Sequence, residues 1–290
     1  MKYPAIDVHA HFGIYDSGID CRSDRFMSAD PEAVIRRARA AGVKLTLVSA
    51  CKALMPFGAG NPVAGNQEAR EASEKYPELG FWAVLNPLLP ESWKQVEELV
   101  THPRCAGIKI HPSQHQYDIR DQGGRIFEFA ARNSAIISSH SGEGNSAPER
   151  FVPFLNDHPE VVCILAHLGH SEDDRNFSRQ VWVIQNCKSR NVFVDTSSSK
   201  SLYPGLIEWA VREIGSNRIL FGTDTPCYFT ASQKARIEYA EVVEKDKLNI
   251  LYNNARKILG RLFRDRNDLE EDHGNHHPSA RVHALRGRRR

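Results

Sequence analysis

Eight short apolar runs rich in β-branched residues alternate with helix-patterned segments along most of the chain, and this alternation constrains the fold more than any other feature. A strand followed by a helix, repeated, builds a parallel sheet, because parallel neighbours need a crossover long enough to hold a helix. Strands are expected over 5–10, 44–51, 79–86, 106–111, 135–141, 161–168, 191–197 and 218–224, with helices over 31–41, 66–76, 90–100, 125–132, 148–156, 176–187, 205–214 and 248–259. Local chemistry agrees with the periodicity: Asp30-Pro31 places a cap and then a proline at a helix start, and Gly42 follows the helix that it ends. Eight such units can close into a barrel. An open doubly wound sheet usually carries a Gly-rich phosphate turn after its first strand, where this chain has His9-Ala10-His11-Phe12-Gly13. The expected architecture is α/β, a single (β/α)8 TIM barrel.

The chain has 290 residues, enough for one barrel of about 250, and residues 1–260 are read as one domain. From about Arg264 the composition turns charged and His-rich, so 261–290, with His273, His276 and His277, is expected to be a tail that buries too little apolar surface to order itself. Lys plus Arg number 38 against 36 Asp plus Glu, a net of +2. No global field therefore attracts nucleic acid or an anionic membrane, and a small-molecule substrate is expected. The first residues lack the apolar core of a signal peptide and no apolar run approaches the roughly 18 residues that span a bilayer, so a cytoplasmic protein with no membrane partner is expected. Cys21, Cys51, Cys105, Cys163, Cys187 and Cys227 are scattered without a C-x-x-C pair and read as reduced, mostly buried thiols.

Ionisable residues collect at the C-terminal ends of the expected strands, which form the active-site face of a parallel barrel. Strand one ends in Asp7-Val8-His9-Ala10-His11, and alternation puts His9 and His11 on one face together with Asp7. Lys109 and His111 share a face at the end of strand four. His140 ends strand five in Ser-Ser-His-Ser-Gly-Glu, His167 ends strand six in Ala-His-Leu-Gly-His, and Asp224 ends strand eight. A lone histidine at a strand end is more often a hydrogen-bonded structural residue than a ligand. An H-x-H pair joined on one rim by His140, His167 and Asp224 supplies the three or four nitrogen and oxygen ligands that a catalytic Zn2+ or similar ion takes.

These motifs resemble the amidohydrolase superfamily, and within it the amidohydrolase-2 branch of metal-dependent TIM-barrel hydrolases and decarboxylases. The resemblance runs from Asp7-Val8-His9-Ala10-His11-Phe12-Gly13 through Gly107-Ile108-Lys109-Ile110-His111-Pro112 and Ala166-His167-Leu168-Gly169. It ends in Gly222-Thr223-Asp224 and Asn253-Asn254-Ala255-Arg256-Lys257-Ile258-Leu259-Gly260. It implies His9, His11, His140 and Asp224 as ligands of one divalent ion, Zn2+ before Mn2+ or Fe2+, with His167 beside a metal-bound water. Members with two ions bridge them through a lysine or glutamate on strand four and use the strand-six histidine as a ligand. Lys109 stands at that place with His111 next to it, so a second-metal or substrate-binding role for both stays open. Members of the branch are often dimers, which makes a homodimer an expectation.

Two reactions suit such a site, and hydrolysis is placed first. A water whose pKa is lowered to about 7 would attack an ester, lactone or amide carbonyl. Asp224 would take its proton and pass it on, while His167 orients the water or stabilises the oxyanion. The alternative is non-oxidative decarboxylation of an aromatic or unsaturated acid, for which Arg22, Arg25 and Lys52 in the first two βα loops could bind the carboxylate. It is placed second because the loops after strands four to seven are compact. A third reading, a non-catalytic metal-binding barrel, would be expected to have lost a ligand, and none is lost. The loop over 52–65, with Met55-Pro56-Phe57-Gly58, is too rich in Gly and Pro for regular structure. It is read as a lid that brings Met55 and Phe57 against an apolar part of the substrate. Trp82, Trp93, Trp182 and Trp209 are read as packing residues.

Overall fold

The computed structural model describes residues 2–19, 21–172, 176–198 and 202–263. Eight strands pair in parallel and in sequence order: β1 (Ala5–Phe12), β2 (Val43–Ala50), β3 (Leu79–Val84), β4 (Cys105–Ile110), β5 (Ile136–Ser139), β6 (Cys163–Leu165), β7 (Val192–Asp195) and β8 (Ile219–Leu220). Each falls inside or within two residues of an expected strand. Backbone bonds from Val8 N to Phe221 O (2.9 Å), Asp224 N to His9 O (2.7 Å) and His11 N to Thr225 O (2.6 Å) rejoin β1 to the chain after β8. The result is the nearly closed (β/α)8 barrel that the alternation predicts.

Among the described residues seven helices lie in the crossovers: α1 (Pro31–Ala40), α2 (Pro62–Lys75), α3 (Pro90–Leu99), α4 (Ile119–Asn133), α5 (Val152–Asp157), α6 (Arg179–Asn186) and α7 (Leu206–Ile214). After β8 come α8 (Thr230–Glu238), α9 (Glu244–Leu248) and α10 (Asn254–Ile258), the last two joined by a π-helical turn, Asn249–Asn253. One core layer lies between sheet and helices, where Phe81, Ile108 and Ile137 meet Val34, Val96, Phe127, Leu155 and Ile207. A second gathers Ile6, Val8, Leu45, Leu47, Trp82, Ile164 and Leu220 with Tyr252, Ala255, Leu259 and Leu262 of the closing helical segment. The barrel is thus a packed core with its chemistry left to the opposite rim.

Several expectations change. Asn61 caps α2 by accepting from Ala64 N at 3.0 Å, so the helix starts at Pro62 and a 3-10 turn, Cys51–Ala53, extends β2. Only 54–61 of the expected irregular loop remains without a helix. Helix α8 was not legible because Gln233 and Lys234 occupy its buried positions, the lysine donating to Ala41 O at 2.9 Å. Trp182 does not pack: it is 45% exposed. Trp93 and Trp209 pack partly buried against the core as expected, Trp209 also bordering an apolar surface groove with Phe177 and Tyr203, and Trp82 is buried and donates to Val8 O at 2.9 Å. The packed chain runs just past 260, since Leu262 is buried and Arg261 donates to Val100 O at 2.8 Å. The rest of the expected tail, 264–290 with His273, His276 and His277, lies outside the described residues. Among the described residues all cysteines are free, and no helix is long and apolar enough to cross a membrane.

Candidate active site

A cavity of ≈ 340 Å³ opens at the C-terminal ends of the strands. His9 and His11 enter it from β1, whose register against β2 shifts between Asp7 and Ala10. Asp7, expected on the same face, does not join them. It accepts from Thr223 N (3.0 Å), Thr223 Oγ1 (2.6 Å) and His9 N (3.1 Å), and burial pushes its carboxyl up to about 8. Its work is to lock β1 to the chain after β8.

Asp224 completes a triad with the two imidazoles. Its Oδ1 lies 3.2 Å from His11 Nε2 and 3.6 Å from His9 Nε2. Hydrogen bonding decides what these atoms present to one another. His9 donates through Nδ1 to Asp195 Oδ2 at 2.9 Å, and His11 donates through Nδ1 to the carbonyl of Ser49 at 3.2 Å. In the neutral rings each Nε2 therefore carries a lone pair toward a carboxylate. The His9 lone pair is also met by Lys109 Nζ at 2.9 Å, and the donor set of two nitrogens and one oxygen suits a divalent ion. Burial raises the Asp224 carboxyl, but its contact with His11 and the imidazoles of His9 and His167 outweigh that and hold it below the ordinary carboxylate range. Residues fitted to a divalent ion are present, with Asp195 and Ser49 fixing ring orientation as partners of ligating histidines do.

Asp195, at the end of β7, was not singled out from the sequence. Its Oδ1 also accepts from His167 N and Ser197 N, each at 3.0 Å, and from the Ser197 hydroxyl. Burial raises its carboxyl, yet His9 and His167 hold it well below the usual range. A carboxylate inside an otherwise apolar strand was the available signal. Gly222 gives this cluster room, because a Cβ there would sit 3.0 Å from His9 Cβ and 3.1 Å from Asp195 Cγ.

His167 lies beside the triad, its ring 4.8 Å from that of His9. Both His167 and Asp224 hold left-handed backbone, φ 71° and 55°, a conformation costing non-glycine residues on the order of 1–3 kcal/mol each and favoured at functional sites. His140, expected as a ligand beside His9, His11 and Asp224, lines the same cavity. Its Nδ1 lies 3.0 Å from His167 Nε2 and its Nε2 meets Glu143 Oε2, whose other oxygen is 3.0 Å from His170 Nε2. Glu143 and His170 were legible only as neighbours of His140 and His167 in sequence. Burial raises the Glu143 carboxyl, but His140 and His170 outweigh it.

Lys109 is buried with Nζ 2.9 Å from His9 Nε2, and burial pulls its ammonium down to about 8. His111 lines the cavity, its ring stacked 3.9 Å from that of His140. Phe57 stands at the cavity edge and is 59% exposed. Its loop is tied to the segment after β4 by Gly58 N to Gln114 O (2.8 Å) and His115 Nε2 to Ala53 O (3.0 Å). The expected carboxylate-binding cations are not at the site. Lys52 pairs with Glu68 on the surface, Arg22 and Arg25 are exposed, and none of the three lines the cavity. The loops carrying them turn their long side chains to solvent, where the charge stays hydrated.

The family described as Amidohydrolase matches residues 6–261. No curated protein matches the chain. Among solved structures, it is similar to 2,6-dihydroxybenzoate decarboxylase from Rhizobium, at 16% identity and TM-score 0.72, over 89% of this chain and 99% of that one. It is also similar to 5-carboxyvanillate decarboxylase from Sphingomonas paucimobilis, at 13% identity and TM-score 0.69, over 89% and 99%. A third is the dihydroxybenzoic acid decarboxylase of a Polaromonas species, solved with bound manganese and the inhibitor 2-nitroresorcinol. It matches at 16% identity and TM-score 0.69, over 89% and 97%.

Proposed function

This chain belongs to the amidohydrolase family, and from that premise we propose that it is a divalent-metal-dependent, non-oxidative decarboxylase of a small hydroxylated aromatic acid. The observation that carries the reading is the lining of the cavity. Its apolar wall of Met27, Leu54, Met55 and Phe57 suits one ring, and among the described residues no Lys or Arg lines it. An ion held by His9, His11 and Asp224 would give an entering carboxylate its positive partner in the cavity, whereas the Lys109 ammonium is buried with Nζ 2.9 Å from His9 Nε2 and does not line it. The likeness of the whole barrel to decarboxylases of dihydroxybenzoate and carboxyvanillate supports this reaction over hydrolysis.

When bound, the ion would neutralise the carboxylate and fix it against the triad. The bond between ring carbon and carboxyl breaks, CO2 leaves, and the electron pair left on the ring carbon takes a proton. In this reading Asp224 would bring that proton from solvent or a substrate hydroxyl to the ring carbon, and His167 would orient the reacting group. Phe57 and Met55 would cover the ring and keep water from it. We take the barrel with its closing segment through Leu262 as the catalytic unit, and Mn2+ joins Zn2+ as an ion to test first. Hydrolysis of an ester, lactone or amide remains the second reading, favoured by the description of the family itself.

Incubating the Mn2+- or Zn2+-loaded chain with a panel of hydroxybenzoic acids, lactones and amides separates the two readings. CO2 release with loss of the acid, abolished by a chelator and restored by metal, is expected. Acid release from lactones or amides without any CO2 from the aromatic acids would overturn decarboxylation in favour of hydrolysis.

A further inference from the structure

We propose that Gln114, in the turn after β4, selects for a ring hydroxyl on the substrate, its carboxamide oxygen accepting a hydrogen bond from that hydroxyl while His111 beside it serves as donor. The inference rests on the reading of the substrate as a hydroxylated aromatic acid and deepens it by assigning the groups that recognise the hydroxyl.

The carrying observation is an acceptor without a donor. Among the described residues two cavity-lining side chains hold a buried polar atom that has no hydrogen-bond partner, Gln114 Oε1 and His170 Nδ1. The other nitrogen of His170 is engaged by Glu143 at 3.0 Å, whereas the Gln114 carboxamide makes no hydrogen bond among the described residues. An acceptor withdrawn from water and left unpaired costs free energy, and a ligand that brings the missing donor recovers it.

The turn that holds this group is fixed at several points. Gln114 N donates to His111 Nδ1 at 3.2 Å and Gln114 O accepts from Gly58 N at 2.8 Å. On either side Ser113 Oγ donates to Asn145 Oδ1 at 2.9 Å and His115 Nε2 to Ala53 O at 3.0 Å. Because the Gly58 bond ties the turn to the loop that carries Phe57, the free carboxamide stands beside the apolar wall assigned to the ring.

The bond to His111 also decides what that imidazole offers. An Nδ1 that accepts from Gln114 N carries no proton, so the neutral ring keeps its proton on Nε2. That Nε2–H has no hydrogen-bond partner among the described residues, and His111 lines the cavity. The corner therefore presents one acceptor and one donor. A hydroxyl both donates and accepts and satisfies the two, whereas a carboxylate or nitro group only accepts and would set its oxygens against Gln114 Oε1. Such a corner takes the hydroxyl and leaves the carboxylate to the ion-binding triad.

The test compares the binding of benzoate with that of ortho-, meta- and para-hydroxybenzoate to the Mn2+-loaded full-length chain, read by stopped-flow fluorescence quenching ahead of turnover. Wild type should bind at least one hydroxybenzoate about tenfold more tightly than benzoate, the scale of a hydrogen bond to an otherwise unpaired acceptor. Gln114→Met should abolish that preference and leave benzoate affinity unchanged, while Gln114→Glu, which keeps an acceptor oxygen, retains it. The ligand-free Gln114→Met chain should melt at or above the wild-type temperature, since it loses an unpaired acceptor; a lower melting temperature would assign the side chain a structural role. Equal affinity for benzoate and every hydroxybenzoate in wild type, or a wild-type preference in Gln114→Met, would overturn the assignment even where CO2 release upholds the decarboxylase reading. Loss of the preference in Gln114→Met without CO2 release from any bound acid would support Gln114 as the selecting residue and refute decarboxylation instead.

Discussion

His9 donates a hydrogen bond through Nδ1 to Asp195 across 2.9 Å, and this one bond, between residues 186 positions apart in the chain, leaves the Nε2 lone pair facing Lys109 Nζ at 2.9 Å and Asp224 Oδ1 at 3.6 Å. Asp195→Asn replaces an oxygen acceptor by an amide that can donate to Nδ1, which would move the His9 proton to Nε2. Metal affinity should fall about 10–100-fold, the usual effect of losing such a partner, with little change in the far-ultraviolet circular dichroism. Competition with a fluorescent chelator measures it; unchanged affinity would show that Asp195 does not set the tautomer.

Asp224→Asn should keep the fold and some metal while turnover drops by about 10²–10⁴, the range that a positioned acid–base group supplies. The measurement is kcat at saturating substrate, with metal content determined on the same sample. Full turnover in a metal-loaded variant would remove Asp224 from the proton path.

Phe57 touches the cavity from its edge, so Phe57→Ala should raise KM about fivefold, equivalent to roughly 1 kcal/mol of apolar contact, with kcat nearly unchanged, as for binding lost equally in ground and transition states. Lys52→Ala is the control: its ammonium is engaged by Glu68, and KM should not move. A higher KM in Lys52→Ala would return that lysine to the substrate.

Asp118 caps α4 by accepting from Arg120 N at 2.9 Å and pairs with Arg120 Nη2 at 2.9 Å and with Arg150. Slight burial raises its carboxyl, but Arg120 and Arg150 outweigh it and hold it below the ordinary value. A carboxyl depressed in the folded state contributes above its unfolded pKa of about 3.9 and loses that contribution as pH falls through the folded pKa. Asp118→Ala should therefore cost about 1 kcal/mol at pH 7, and the difference from wild type should shrink below about pH 4. Urea melts at both pH values test this; a pH-independent difference would assign the effect to helix propensity alone.

The alternation of strands and helices, the H-x-H pair and the run of polar strand ends from His111 to Asp224 were legible because they are local: periodicities of two and 3.6 residues and the residue that follows an apolar run. They led to a barrel and to the rim where chemistry collects. Ring orientation and charge pairing were decided by the tertiary structure, since each depends on atoms from distant segments. Asp195 reaches His9 from β7, Glu143 meets His140, Glu68 pairs with Lys52, and Thr223 holds the Asp7 carboxylate. A histidine in a sequence is two nitrogens of unspecified role; which one keeps a lone pair for an ion is set by the acceptor that the fold brings to the other.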